Sequence, residues 1–187
     1  MDAGLAAVLG ATVGAAGTGG AGVIAAFLAR SQARSQMRAE HVRLTREPRK
    51  AAYVAFIEAC QKEHDRLTEA GSYLTLYRTS PIVEARAERR RKATDLYDAS
   101  TEARPALKHL EAQVYIEGPR SVISAAVDLS GSLTDFRHEV LDLMDPDSNG
   151  TVEAMEAART GSYEKYLDFL YQASEAVGAD GLQKVPE

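Results

Sequence analysis

A chain of 187 residues with a formal charge of −5, one cysteine and no tryptophan has room for one domain of ordinary size. It can form no intrachain disulfide and no cysteine-rich zinc site. The charge is unevenly spread: residues 30 to 50 carry seven positive and two negative side chains, net +5, while residues 51 to 187 carry 15 and 24, net −9. The acidic part lacks the basic footprint that nucleic acid requires, so no nucleic-acid partner is expected.

The first element is a run without charge from Ala3 to Ala29, built from Ala, Gly, Val, Leu and Ile. Roughly 18 or more such residues suffice to cross the hydrocarbon core as a helix, so residues 1–29 are read as a transmembrane anchor. Ala6, Gly10, Gly14, Thr18, Gly22 and Ala26 recur four apart on one face. Small residues so placed let helix backbones approach closely in lipid, which makes self-association of the span an expectation. Only Asp2 precedes the span, whereas Arg30, Arg34, Arg38, Arg43, Arg46, Arg49 and Lys50 follow it. That asymmetry predicts a single-pass protein of the cell membrane with its N-terminus outside and its C-terminal domain cytoplasmic. The acidic leader and Phe27 do not match a cleaved signal peptide, so the span is expected to be retained. Gly17, Gly19 and Gly22 spell GxGxxG with Glu40 beyond them. No later stretch reads as the parallel strands that a dinucleotide fingerprint needs, and the nucleotide reading is set aside.

Residues 30–47 are strong helix formers without a wide apolar stripe and read as a basic helical stalk. Pro48 should kink that helix or restart it. Residues 48–178 then read as four amphipathic helices, leaving 179–187 as a flexible tail. The first buries Tyr53, Phe56, Ile57, Cys60, His64, Leu67, Leu74 and Tyr77. Thr79-Ser80-Pro81 caps a second helix that runs to Ile116, with Ala93, Leu96, Tyr97, Leu107, Leu110 and Val114 inward and a bend or split at Pro105. After the Gly118-Pro119 breaker comes the cleanest stripe in the chain: Val122, Ala126, Leu129, Leu133, Phe136, Val140 and Leu143. A fourth helix from Thr151 to Val177 buries Val152, Met155, Tyr163, Tyr166, Leu167, Leu170, Ala173 and Val177, and Gly178 ends it. The fold expected is all-α: an N-terminal transmembrane helix plus an antiparallel four-helix bundle.

One loop carries candidate chemistry. Asp145, Asp147, Asn149, Thr151 (through its carbonyl), Glu153 and Glu156 fall at positions 1, 3, 5, 7, 9 and 12 of a twelve-residue stretch with Gly150 at position 6. This resembles an EF-hand calcium loop, in which a hard cation gathers six to eight oxygens. The family works in pairs and carries a large apolar residue at position 13, whereas this chain has one such loop and Ala157 there. The same residues also make an ordinary helix-to-helix turn, with Ser148, Asn149 or Thr151 capping the next helix. Cys60 with His64, and Asp135 with His138, share helical faces but lack the further ligands or orienting group that metal or nucleophilic chemistry needs. They read as core or boundary residues, and no enzymatic activity is expected. Arg89, Arg90, Arg91 and Lys92 form a basic run that suits an acidic partner or headgroup and is equally what a solvated face looks like.

Three features together are similar to small, uncharacterised single-span helical proteins of high-GC Gram-positive bacteria. They are the Gly/Ala-rich span, the stalk leading into Arg46-Glu-Pro-Arg-Lys-Ala-Ala-Tyr-Val-Ala-Phe56, and Glu117-Gly-Pro-Arg-Ser-Val122 before Ala125-Ala126. The resemblance implies topology and a bundle but no activity. The expected function is that of a membrane-anchored cytoplasmic interaction or scaffold protein with a protein partner. The alternative is a calcium-responsive module.

Overall fold

The computed structural model describes the backbone of residues 3–179, every side chain from Arg46 to Gly178, and a few side chains before Arg46. The chain divides into two compact units, Met1–Thr45 and Arg46–Glu187. Among the described residues no helix is long and apolar enough to cross a membrane. The side chains of the predicted span, including the stripe from Ala6 to Ala26, and the predicted tail from Asp180 onward lie outside the described residues.

Four helices follow one another: α1 (Ala3–Thr79), α2 (Val83–Glu117), α3 (Arg120–Met144) and α4 (Val152–Ala179). No strand occurs among the described residues. In the second unit the helices form an antiparallel bundle whose directions can be read from side-chain contacts. Along α1 and α2, Leu76 meets Arg89, Tyr73 meets Lys92 and Glu63 meets Ser100, so one number rises as the other falls. Along α1 and α4, Phe56 packs edge-on to Phe169 at 5.1 Å, His64 lies 3.4 Å from the Arg159 carbonyl, and Arg78 donates to the Gly150 carbonyl. That pairing is antiparallel as well.

Of the kink or restart expected at Pro48 and the bend or split expected at Pro105, the restart and the split do not occur. Pro48 and Pro105 both lie inside continuous helices, although each removes a backbone hydrogen bond at a cost of about 3 kcal/mol. Both prolines are exposed, so solvent can reach the carbonyl each leaves unpaired. Buried side chains on either side hold the helix in register: Ser100 and Glu111 around Pro105, and Ala52 and Tyr53 after Pro48. Packing outweighs the local preference. The cap at α2 also differs from the expectation. The N-cap is Ile82, with no side-chain hydrogen bond of its own, and Ser80 Oγ accepts only the Ile82 N–H. At the other end of the bundle, α4 runs through Gly178 to Ala179.

The core has two halves. One gathers Tyr53, Phe56, Cys60, Val114, Leu129 and Phe169, among others. The other gathers Leu67, Leu74, Ala93, Phe136, Val140 and Met155. Every member of the predicted α3 stripe is buried. On α4 the inward face is set differently from the prediction: Phe169 is fully buried, while Tyr163, Leu167 and Leu170 are 47%, 48% and 40% exposed. The true inward row, Met155, Ser162, Tyr166, Phe169 and Ala173, includes a serine and an alanine. Those small residues let the outer row look more apolar than the inner one.

Candidate functional site

Between the two core halves lies a polar layer. Glu63 of α1, Ser100 of α2 and Arg137 of α3 are buried. The Arg137 guanidinium pairs with Glu63 Oε1, Ser100 Oγ donates to the same carboxylate oxygen at 2.7 Å, and Arg137 donates to Ser100 Oγ at 2.9 Å. Glu63 Oε2, Arg137 Nε and Ser130 Oγ are buried without a hydrogen-bond partner. A void of about 20 Å³ bounded by Glu63, Ser130 and Arg137 adjoins them, the size of a single water. Burial pushes the Arg137 guanidinium below its usual range, but it starts so high that it stays charged. Periodicity could not reveal this layer, because a lone Glu or Arg in a helical repeat reads as solvent-facing. A void this small admits no substrate, so the layer's chemistry is structural.

A second polar group closes the same flank of α2. Glu111, 4% exposed, takes hydrogen bonds from Lys108 Nζ and Tyr115 Oη, both at 2.6 Å. Burial, together with the hydrogen bond to and the charge of Glu111, pushes the Tyr115 hydroxyl up to about 12. The Cys60 thiol, 1% exposed, is pushed far above its usual range by burial, with the Glu111 charge adding to the effect. It is therefore protonated at neutral pH and carries no thiolate character. His64 packs on Phe136 and Tyr163. Asp135 and His138 are exposed.

The six predicted calcium ligands are placed as follows. Asp145 Oδ1 accepts the Asp147 N–H at 2.9 Å, which is an Asx turn. The Thr151 carbonyl, the predicted ligand at position 7, accepts the Met155 N–H in the first turn of α4. Its hydroxyl accepts the Ala154 N–H, making Thr151 the N-cap. Glu156 is held by Arg159 Nε at 2.8 Å. Asp147, Asn149 and Glu153 are exposed. No three His, Cys, Asp or Glu side chains converge as a metal site among the described residues. Gly150 does not adopt the left-handed conformation that glycine permits. It is required because a Cβ there would come within 2.5 to 2.8 Å of the Asp142 and Leu143 backbone. The loop is held as a turn by these bonds and by Arg78, whose guanidinium donates to the carbonyls of Gly150 and Leu143.

Outside the core, two surfaces stand out. A groove of about 210 Å³ runs between α1 and α4, bounded by Tyr53, Val54, Ile57, Phe169, Leu170 and Val177, with Lys50 at its rim. Beside it Leu167 and Tyr171 are 48% and 60% exposed. At the α1–α2 corner a wider concavity of about 550 Å³ is lined by Tyr77, Val83, Arg86, Arg90, Arg91 and Thr94 among others. No family model, curated protein or solved structure matches this chain.

Proposed function

We propose that the protein is a membrane-anchored helical module that acts by binding another protein along the outer face of α4, without a catalytic step of its own. The observation that carries this reading is the second apolar row of α4. Leu167, Leu170 and Tyr171 stay 40 to 60% exposed although Phe169 and Ala173 already fill the core side of the same helix. Contiguous apolar surface of this kind marks an interaction site. The adjoining groove of about 210 Å³ is smaller than the roughly 300 to 1,000 Å³ of small-molecule sites. It suits one or two side chains of an amphipathic helix laid along it. Lys50 at the rim, on a unit that is otherwise strongly acidic, favours a partner helix with an acidic residue at that end.

The anchor and the cytoplasmic placement of the bundle rest on the uncharged run of residues 3–29 and the seven basic side chains after it. Self-association through the Ala6 to Ala26 stripe belongs to that same reading. The calcium-responsive alternative rests on residue spacing alone, and no geometric observation favours it.

The double substitution Leu167→Ser, Leu170→Ser tests the reading. Both residues are half-exposed, so thermal unfolding should move by only a few degrees, while the partner that co-purifies with the wild-type chain at fixed stoichiometry should be lost. Retention of that partner would refute the assignment. A reporter fused to the C-terminus should be active only on the cytoplasmic side, and activity outside would overturn the orientation.

A further inference from the structure

The end of the bundle where α1 stops and α4 starts is split by charge. On the α1–α2 half, residues 76–92 carry Arg78, Arg86, Arg89, Arg90, Arg91 and Lys92 against only Glu84 and Glu88, net +4. On the α3–α4 half, residues 142–156 carry Asp142, Asp145, Asp147, Glu153 and Glu156 with no basic residue, net −5. Arg78, reaching from the end of α1 to the carbonyls of Gly150 and Leu143, puts both halves at one tip. The basic half carries a shallow hollow of about 550 Å³ lined by Tyr77, Val83, Arg86, Arg90 and Arg91, with Asp95 as its one acidic residue. The arginines are partly fixed. Arg86 stacks over the Tyr77 ring at 5.0 Å, and Arg89 donates to the Leu76 carbonyl at 2.8 Å. The acidic half centres on the turn Asp145 to Gly150, whose Asp145 and Asp147 are exposed. Within one chain only part of this charge is paired: Arg91 and Lys92 meet Glu88, and Glu156 meets Arg159, whereas Asp142, Asp147 and Glu153 pair with no cation and Arg90 with no acid among the described residues.

We infer that this tip is an isologous contact between two copies of the chain, in which the turn around Asp147 of each copy seats in the hollow around Arg90 of the other. A two-fold axis lying across the tip, perpendicular to the bundle, brings the basic half of one copy onto the acidic half of the other, twice, with net charges of opposite sign facing. Exposed Leu76, Ile82 and Val83, at 48%, 58% and 71%, line the seam and supply the apolar area that exposed ion pairs alone lack. The contact rests on the interaction reading above and goes beyond it by naming a second copy as a partner. It uses neither the α4 groove nor the membrane span.

Two full-length variants, Arg90→Cys and Asp147→Cys, test it by disulfide formation, with Cys60 silent because it is buried. An equimolar mixture should cross-link to dimer at least roughly tenfold more than either variant alone. Raising salt from 50 to 500 mM, which shortens the screening length severalfold, should suppress that excess. The charge reversals Arg86→Glu with Arg90→Glu, and Asp145→Lys with Asp147→Lys, should each abolish tip cross-linking by a bifunctional reagent, and a chain carrying all four should regain it. Equal cross-linking of the mixture and of either variant alone, no cross-linking at all, or no recovery in the fourfold variant would overturn the inference. Loss of the α4 partner in the Leu167→Ser, Leu170→Ser chain is independent of these results, so either claim can fail without the other.

Discussion

Arg137→Met is the substitution that most sharply probes how the bundle is held together. It removes a guanidinium that satisfies Glu63 and Ser100 in the layer between the two halves of the core. Glu63, 3% exposed, would keep only the Ser100 hydroxyl. A carboxylate left unpaired in such a site costs about 3 to 5 kcal/mol, a large part of the roughly 5 to 15 kcal/mol that holds a domain folded. With a urea slope of about 2 kcal/mol per molar, the midpoint should fall by about 2 M. The double variant Glu63→Leu, Arg137→Met removes both charges and keeps the volume, so it should recover most of the loss and could exceed the wild type. Urea titration followed by far-UV circular dichroism on wild type, both single variants and the double variant gives the coupling directly. A cost below about 1 kcal/mol for Arg137→Met, or a double variant no more stable than the single ones, would refute the description of this layer as a buried, mutually dependent pair.

The other predictions are simpler to read. The Cys60 thiol should react with an aromatic disulfide reagent at neutral pH only as fast as the chain unfolds, because it is buried and protonated; fast labelling of the folded chain would contradict that. Gly131→Ala and Gly161→Ala, where a Cβ meets nothing within 4 Å, should each stabilise their helices by about 1 kcal/mol. Gly150→Ala, where a Cβ collides with backbone, should destabilise by about 1 to 3 kcal/mol; thermal melts that show the reverse order would refute this account of the turn. Tyr115 holds its proton more tightly when folded, its value rising from 10.0 to about 12. Its contribution to stability is therefore full below pH 10 and lost as pH rises through 12. The difference in tyrosinate absorbance between wild type and Tyr115→Phe should show that late titration, and a transition near pH 10 would contradict the Glu111 contact.

Most of the bundle can be read from apolar spacing: the α3 stripe keeps a three-four rhythm of large side chains, with Val127 and Leu141 the large apolar residues left on its exposed side. Helix α4 was harder. Its inward face spends two positions on Ser162 and Ala173, so Phe169 was missed and the outward Leu167 and Leu170 looked like core. The prolines act in the other direction: the local preference to break a helix is real, but buried residues on both sides of Pro105, and after Pro48, outweigh it. The Glu63–Ser100–Arg137 layer was out of reach, since only the third dimension brings positions 37 residues apart on two separate helix pairs to one point. The calcium-loop spacing is present in the sequence; that the Thr151 carbonyl and hydroxyl both start α4 and that Glu156 turns to Arg159 is seen only in three dimensions. The acidic pattern is legible. Its contact with Arg78 at the end of α1 is not.

Site-specific photo-cross-linking in living cells tests the central claim most directly, with a photoreactive amino acid at Leu170 in the α1–α4 groove and, as a control, at the exposed Glu102 on α2. The account predicts one discrete adduct from position 170, joined to an apolar residue of a helical segment in another protein, and none from position 102. The same adducts from both positions, or none from position 170, would mean that the outer face of α4 is not where this protein does its work.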